Sequence, residues 1–204
     1  MATWSYFHSR VLPHVRECTI PLVDQALRDS AADLAARSRI WREWLDPITT
    51  TTAREYDMDP PTGSMIVRPE LVKLDGREID LESSLSYRSP PLTADDLGPG
   101  ASTQDLATVA LTFSPAAGQL LQLHVSLAPA VQSTGVPDWI AARYMAGIVS
   151  GALARLRAIP GYAFSDPLMA LSDQAAADLV VARAVSDAWR GLSSARPRSR
   201  PSWC

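Results

Sequence analysis

The sequence predicts an α+β protein in which one N-terminal and two C-terminal long helices flank a β-rich insertion over about 40–128. Three segments repeat apolar residues at three- and four-residue steps, which is typical of a helix with one buried face. The stretch between the first and second of them alternates apolar and polar residues and is broken by proline and glycine turns, which is typical of half-buried strands. We therefore expect an amphipathic helical bundle with an insertion of β-hairpins.

The composition indicates a soluble, cytosolic chain with a core of its own. Its 204 residues, 47% of them apolar, suffice for one domain over 1–191 followed by a flexible arm over 192–204. The formal net charge of −3 excludes the overall basic excess that marks many nucleic-acid-binding proteins. Two cysteines, Cys18 and Cys204, offer neither a disulfide framework nor a paired metal spacing. The N-terminus lacks the pattern of a secretion signal, and no apolar run is long enough to cross a bilayer.

The first long helix is expected over about 19–37. Thr19 offers a capping hydroxyl, and Pro21 lies in the first turn, where its missing N–H costs nothing. The apolar stripe of this helix, which needs a partner, consists of Leu22, Val23, Ala26, Leu27, Ala31, Leu34 and Ala35.

Two regions of strand are predicted next. Aromatic and β-branched residues predict a strand over 40–52, on which the spacing of Trp41 and Trp44 turns one tryptophan toward solvent. The dipeptide Asp75-Gly76 is a strong hairpin signal, and it joins the expected strands 65–74 and 77–81.

The rest of the insertion combines a long irregular segment with a second predicted hairpin. Ser83 to Ser102 holds three prolines and two glycines, which favours a long loop or a mobile arm. Alternating apolar residues then predict strands over 107–113 and 121–127, connected through a turn at 115–118.

Two further helices are predicted over about 139–159 and 166–190. Gly147 and Gly151 form a small spot on the first of them, where another helix can approach closely. On the second helix, one apolar stripe is expected to face the other helices. Trp139, on the first helix, and Trp189, on the second, are both expected in the core. That stripe consists of Leu168, Leu171, Ala175, Leu179, Ala182, Val185 and Trp189.

Several common catalytic devices are excluded by counting. The single lysine, Lys73, is followed by leucine rather than by the serine or threonine of a phosphate-binding loop. The chain contains neither a Gly-x-Ser-x-Gly nor a Gly-x-Gly-x-x-Gly motif, and it has no asparagine. His8 and His14 lie six residues apart across Pro13, so they are interpreted as ordinary histidines. We expect no catalytic, cofactor-binding or metal-binding residues and no enzymatic activity.

A small hydrolase remains an alternative. His124 lies on the polar face of a predicted strand and could act as a general base if a serine and a carboxylate converged on it. Cys18 precedes a helix N-terminus, where the pKa of its thiol could be lowered, although a small core thiol is the simpler interpretation. Paired carboxylates could also serve an acid–base mechanism, and they are Asp57 with Asp59, Glu78 with Asp80, and Asp95 with Asp96.

The C-terminal segment combines arginines with a tryptophan. Arg196, Arg198, Arg200 and Trp203 alternate with prolines and serines, so this arm cannot form a helix. Arginine and tryptophan dominate the hot spots of protein interfaces, which favours docking onto another protein over a terminal tail without a role.

Taken in order, several short phrases resemble the head-to-tail adaptor proteins of tailed bacteriophages, the family that includes tail tubular protein A of short-tailed phages. The resemblance spans most of the chain, although the family varies greatly at the counterpart of Ser83 to Ser102. Its phrases are ARSRIWR at 36–42, LDPI at 45–48, YDMDPPTG at 56–63, LDGR at 74–77, GVPDW at 135–139, PG at 160–161 and SDP at 165–167.

The resemblance implies a structural virion protein of the neck between capsid and tail, present in the host cytoplasm before assembly. Its copies would form a ring, a dodecamer in the family, that lines the DNA channel under the portal protein without binding DNA specifically. The C-terminal segment 191–204 would dock on the portal, with Arg196, Arg198, Arg200 and Trp203 as its contacts, and the hairpins and long loop would meet the tail nozzle or tail tube. Another neck or tail-completion protein is the alternative within this class, and no membrane is implied.

Overall fold

The computed structural model describes residues 1–81, 85–88 and 107–190. Helices and strands are both present, so the predicted α+β class is confirmed. Two compact units are formed. The helical unit consists of Met1–Ile40 and the chain from Thr134 onward, and the sheet unit consists of the intervening Trp41–Ser133. The predicted arm over 192–204 lies outside the described residues.

The helical unit contains the three long helices that the sequence predicted, each bounded within two residues of its expected limits. A two-stranded antiparallel ladder, in which Ala2 faces Val136 across the strands, joins the N-terminus to the residues just before the second long helix. The elements are β1 Ala2–Thr3, α1 Ser5–Val11, a 3-10 turn Leu12–His14, α2 Ile20–Ser38, β10 Gly135–Val136, α3 Asp138–Arg157 and α4 Pro167–Trp189.

The helix starts differ in how they are capped. At α4, the Asp166 carboxylate accepts a hydrogen bond from the Met169 amide at 3.0 Å and caps the helix. At α2, the Thr19 hydroxyl makes no such bond, so that part of the prediction is wrong. The Thr19 carbonyl instead accepts the amides of Leu22 and Val23, both at 3.1 Å, and the first turn closes through the backbone alone.

Two glycines allow α3 to approach its neighbours closely, as their spacing predicted. A Cβ built on Gly147 would lie 2.6 Å from Cγ1 of Val180 on α4, and one on Gly151 would lie 2.2 Å from Oγ of Ser30 on α2. The buried Ser30 hydroxyl donates to the carbonyl of Ile148 at 2.9 Å, which places a polar bond inside the α2–α3 contact. Side chains at either glycine would therefore force the helices apart.

The sheet unit holds two separate sheets. In the larger one the order is β2-β9-β5-β6, and β3 also pairs with β9; in the smaller one the order is β4-β8-β7. The strands are β2 Arg42–Trp44, β3 Ile48–Thr49, β4 Glu55–Met58, β5 Ser64–Leu74, β6 Arg77–Ile79, β7 Leu85–Arg88, β8 Ala107–Leu111 and β9 Leu120–Pro129.

The first predicted hairpin is confirmed, and the first predicted strand is divided. Asp75 and Gly76 both adopt positive φ angles, 50° and 77°, and they join β5 to β6 as an antiparallel pair. The stretch 40–52 forms two short strands, both paired with β9, and Asp46 and Pro47 fall in the gap between them. Proline cannot donate to a ladder, which explains the interruption.

The second predicted hairpin is wrong, because β8 and β9 belong to different sheets. The segment between them is held by Thr50, the residue after β3, rather than by β8: the Thr50 hydroxyl donates to the Ala116 carbonyl at 2.7 Å, and the Gly118 amide donates to the Thr50 carbonyl at 2.8 Å. β9 then pairs with β5 along almost its whole length, and β8 pairs with β4 and β7. The prediction of a loop or arm over 83–102 is also wrong at Leu85–Arg88, and the remainder of that stretch lies outside the described residues.

Candidate interaction surfaces

The three aspartates of α4 lie toward the other helices. Its 23 residues include three aspartates and one arginine, and each aspartate pairs with an arginine of α2 or α3. Arg37 Nη1 lies 2.7 Å from Asp178 Oδ1, and Arg143 Nη2 lies 3.1 Å from Asp187 Oδ2. The third pair joins Arg157 to Asp173. These ion pairs connect α4 to its neighbours along most of its length.

The opposite side of α4 is apolar and exposed. At 100° per residue, the large apolar residues of that side lie within about 80° of one another around the helix, with Asp178 about 20° beyond one edge of this sector and Arg183 about 40° beyond the other. Its large side chains are strongly exposed: Leu168 is 81% exposed, Leu171 70%, Leu179 74% and Trp189 84%. We call this set the outward line of α4, and it consists of Leu168, Leu171, Ala175, Leu179, Ala182 and Trp189.

The prediction that this stripe and both Trp139 and Trp189 lie in the core is therefore wrong. Trp139 is 39% exposed, and the buried face of α4 is made of small residues instead. That face comprises Ala170, Ala177, Val181 and Ala184. At Gly147, α3 approaches α4 so closely that an added Cβ would lie 2.6 Å from Val180 Cγ1, and small side chains suit such a close helix contact. The signal available in the sequence was Gly147 on α3 together with the run of small residues on α4.

A shallow groove of about 610 Å³ lies on the helical unit, lined by α1, the 3-10 turn, α3 and the first turns of α4. Its floor is apolar and its rim is basic. We call the apolar lining the floor, which consists of Ala142, Met145, Ala146, Val149, Leu153 and Met169, and the polar lining the rim, which consists of Arg10, His14, Arg143, Ser150, Arg157 and Asp173. Within the described part of the chain, Arg10 forms no ion pair. We call this feature the basic groove.

Beside the groove, the buried side chain of Tyr144 stabilises the contact between α3 and α4. Tyr144 has a fully buried side chain, and its hydroxyl donates to Asp187 Oδ2 at 2.9 Å. Its backbone departs from helical geometry, with φ −119° and ψ 16°. Burial, together with this bond to a carboxylate, raises the pKa of Tyr144 to about 12. The same hydrogen bond, followed by contact with Arg143, lowers the pKa of Asp187.

Replacing Tyr144 by phenylalanine should change how stability depends on alkaline pH. Because the pKa of the phenol is about 12 in the folded state and about 10 when unfolded, its stabilisation is complete below pH 10 and is lost as pH rises toward 12. Y144F should remove that decline, and at neutral pH it should cost about 1 kcal/mol for the lost hydrogen bond. Urea unfolding at pH 7 to 11 measures both effects. The control is Y162F, at a half-exposed tyrosine; an unchanged alkaline slope in Y144F would contradict the assignment.

His124 lies on β9 in a setting that differs from a catalytic triad. Its ring stacks on Trp44 with centroids 4.8 Å apart, and Lys73 Nζ lies 5.1 Å from the centre of the same indole. Desolvation, followed by the nearby Arg42, lowers the pKa of His124. Among the described residues, neither a serine hydroxyl nor a carboxylate forms a hydrogen bond with it. Trp44 is 48% exposed and Trp41 is buried, as the sequence predicted for this pair.

The other candidate residues are dispersed. His8 Nε2 lies 2.6 Å from Asp24 Oδ1, which joins α1 to α2, while His14 lies on the rim of the basic groove. Burial raises the pKa of the Cys18 thiol, so the suggestion of a lowered pKa is wrong. The remaining acidic candidates in the described part are exposed, and they are Asp57, Asp59, Glu78 and Asp80. Asp95 and Asp96 lie outside the described residues, as do Cys204 and the predicted docking residues Arg196, Arg198, Arg200 and Trp203.

Across residues 1–81 and 107–190, histidine, cysteine and carboxylate side chains form no cluster of three that could hold a metal ion. None of the helices in the described part is long and apolar enough to span a bilayer.

A scan against protein-family models and a search among curated proteins give no match to this chain. The resemblance to phage adaptor proteins therefore depends on its short phrases and stays a prediction.

Proposed function

We propose that this chain is a structural protein of a phage virion, an adaptor whose copies form a ring that joins the portal to the tail nozzle or tail tube. The observation that carries this proposal is the outward line of α4. A helix whose carboxylates all pair inward and whose outer side exposes three leucines and a tryptophan is built for contact with another protein. Such a surface is what a ring subunit needs.

The residue composition supports an assembly role. Arginine outnumbers lysine by eighteen to one in the chain, and arginine is the cation favoured at protein interfaces because its planar group forms several directed hydrogen bonds. The small negative net charge suits a subunit around a DNA channel, since a basic lining would hold the passing phosphates. Such a subunit lies in the neck of the virion and, before assembly, in the host cytoplasm.

The C-terminal arm is the proposed portal contact. Its arginines and Trp203 provide the residue types of interface hot spots, and its prolines prevent helix formation. An arm that orders only on the portal would couple ring formation to the presence of that partner, because the ordering entropy must be offset by new contacts.

Deleting Ala195 to Cys204 should abolish attachment to portal rings of the same phage. Replacing Arg196, Arg198 and Arg200 together by alanine, or Trp203 alone, should weaken attachment tenfold or more, since hot-spot residues contribute about 2 kcal/mol or more each. Attachment is measured by co-sedimentation of the chain with purified portal rings and by electron microscopy of the mixture.

The matched control replaces Ser199 and Ser202 by alanine, which alters the same arm without removing a cation or the indole. This control should bind as the full chain does. If the truncated protein attaches to portal as well as the full chain, the arm is not the docking element. If the full chain itself never attaches, the adaptor function is wrong, and a neck or tail-completion role without a portal contact becomes the better interpretation.

A further inference from the structure

The outward line and the basic groove occupy different sides of the helical unit. Met169 and Asp173, which line the groove, lie between 100° and 180° around the α4 axis from the middle of the outward line, given 100° per residue. A ring in which every copy has the same environment requires two different surfaces, one that meets the preceding copy and one that meets the next. The helical unit offers a protruding apolar line and an apolar-floored recess on separate sides.

We infer that the outward line of α4 in one copy docks into the basic groove of the next copy, an inference that rests on the proposed ring function. The contact is head-to-tail. It uses the two surfaces once each per subunit, so that it continues around a closed ring.

The two surfaces match in length and in apolar character. The groove follows α3 from Ala142 to Arg157, which is about 22 Å at 1.5 Å per residue. The outward line from Leu168 to Ala182 spans about 21 Å on the same basis. Leucine side chains on the line would meet the methionine, valine and leucine side chains of the floor. Trp189 lies further along α4 than Ala182, so in this contact it would lie past the end of the groove of the next copy.

The charges also match. Of the aspartates of α4, Asp178 borders the outward line, whereas the groove rim carries Arg10, His14, Arg143 and Arg157 around Asp173. The Asp178 side chain is 45% exposed, so its carboxylate can approach a cation of the neighbouring copy. Arg10 on the rim has no acidic partner of its own in the described part of the chain. The carboxylate of Asp178 would thus meet an arginine of the neighbouring rim.

The exposed area fits a second copy better than the arm of the same chain. The leucines of the line and Trp189 together expose on the order of 600 Å², close to what each partner of a specific interface buries, about 800 Å². The arm after Trp189 contains only two large apolar residues, Leu192 and Trp203, which are too few to cover a line of this length.

The test is site-directed cross-linking between copies. Two single-cysteine proteins are made in a C18S/C204S background, L179C on the outward line and A146C on the groove floor, and they carry tags of different size. They are mixed under mild oxidation, both at high concentration alone and with portal rings. The inference predicts an L179C–A146C disulfide at least fivefold more abundant than either self-linked product. The matched control pairs A146C with V131C, whose valine is 73% exposed in the sheet unit, and should link weakly.

A second measurement is independent of disulfide geometry. L179E should abolish the self-association seen by sedimentation equilibrium or on portal rings, whereas V131E should leave it unchanged, because only the first places a charge in the apolar contact. An L179C–L179C product in place of the mixed one would mean that the outward line pairs with itself, and the inference would fail. Absence of the mixed product in an oligomer, or association unaffected by L179E, would overturn it as well.

Failure of the inference and failure of the proposed function give different results. If the chain binds portal and forms rings without the mixed product, the function stands and this interface is wrong. If the mixed product forms at high concentration but portal never captures the chain, the interface stands and the adaptor function is wrong.

Discussion

Replacing Gly147 by valine is expected to lower the free energy of unfolding of the helical unit by about 3 kcal/mol. The Cβ alone would lie 2.6 Å from Val180 Cγ1 and 2.8 Å from Val180 Cβ, which is well inside contact distance. Val180 is β-branched, so it cannot rotate away freely, and Leu34 Cδ1 of α2 lies 3.3 Å away on another side. The remaining response is a separation of α3 from α4. Chemical unfolding followed by far-ultraviolet circular dichroism measures the loss.

Two further variants test whether the loss of stability comes from the contact between Gly147 and Val180. Gly147→Ala should cost less, because alanine gains up to about 1 kcal/mol of helix propensity that offsets part of the overpacking. Shortening the opposing side chain in G147V/V180A should restore about half of the loss. The control is A142V on an exposed position of the same helix, which should cost no more than about 0.7 kcal/mol. A G147V protein as stable as A142V would show that α3 and α4 do not pack this closely.

The sequence predicted the helices well because their signals are local. Asp166 followed by proline is a start signal that depends only on neighbouring residues, and the structure shows the cap bond to Met169. The Asp75-Gly76 hairpin is equally local, since two positive φ angles are decided within the turn. Where the decisive contact was distant, prediction failed. The connection after β8 is held by Thr50, more than sixty residues earlier in the chain, and no pattern near β8 or β9 indicates that bond.

The candidate interaction surfaces could not be predicted from the sequence either, because the contacts that decide them also join distant parts of the chain. α4 is apolar on two sides, and periodicity alone cannot say which side is buried. The choice depends on the neighbouring helix, since Gly147 lets α3 approach α4 so closely that an added Cβ would lie 2.6 Å from Val180 Cγ1. Charge provided a further indication: Asp173, Asp178 and Asp187 all lie off the outward line, and each finds its arginine on another helix. Burial of the large residues was the simpler assumption, and it gave the wrong face.

Removing the Asp173 carboxylate is expected to cause the second large loss of stability, because Arg157 would then lack its ion-pair partner. Arg157 and Asp173 are only 11% and 16% exposed, and they connect the end of α3 to the first half of α4. Removing one partner of a largely buried pair costs about 3 kcal/mol, because the remaining charge stays partly desolvated. D173A should therefore lower the free energy of unfolding by about that amount. The matched control, D33A, removes a carboxylate from a half-exposed pair with Arg37 on α2 and should cost at most about 0.5 kcal/mol.

The double variant R157M/D173M separates the cost of an orphaned charge from the value of the pair itself. With both charges replaced by side chains of suitable length, the helical unit should return to within about 1 kcal/mol of the starting stability, because apolar packing replaces a pair whose attraction was largely cancelled by desolvation. R157M alone should be destabilising as well, since it leaves Asp173 without its arginine. Additive effects of the two single changes, with no recovery in the double variant, would contradict the coupling. The pair also lies in the basic groove, so a stable R157M/D173M protein alters the rim without unfolding it, and any change in its self-association then reports on the surface rather than on the fold.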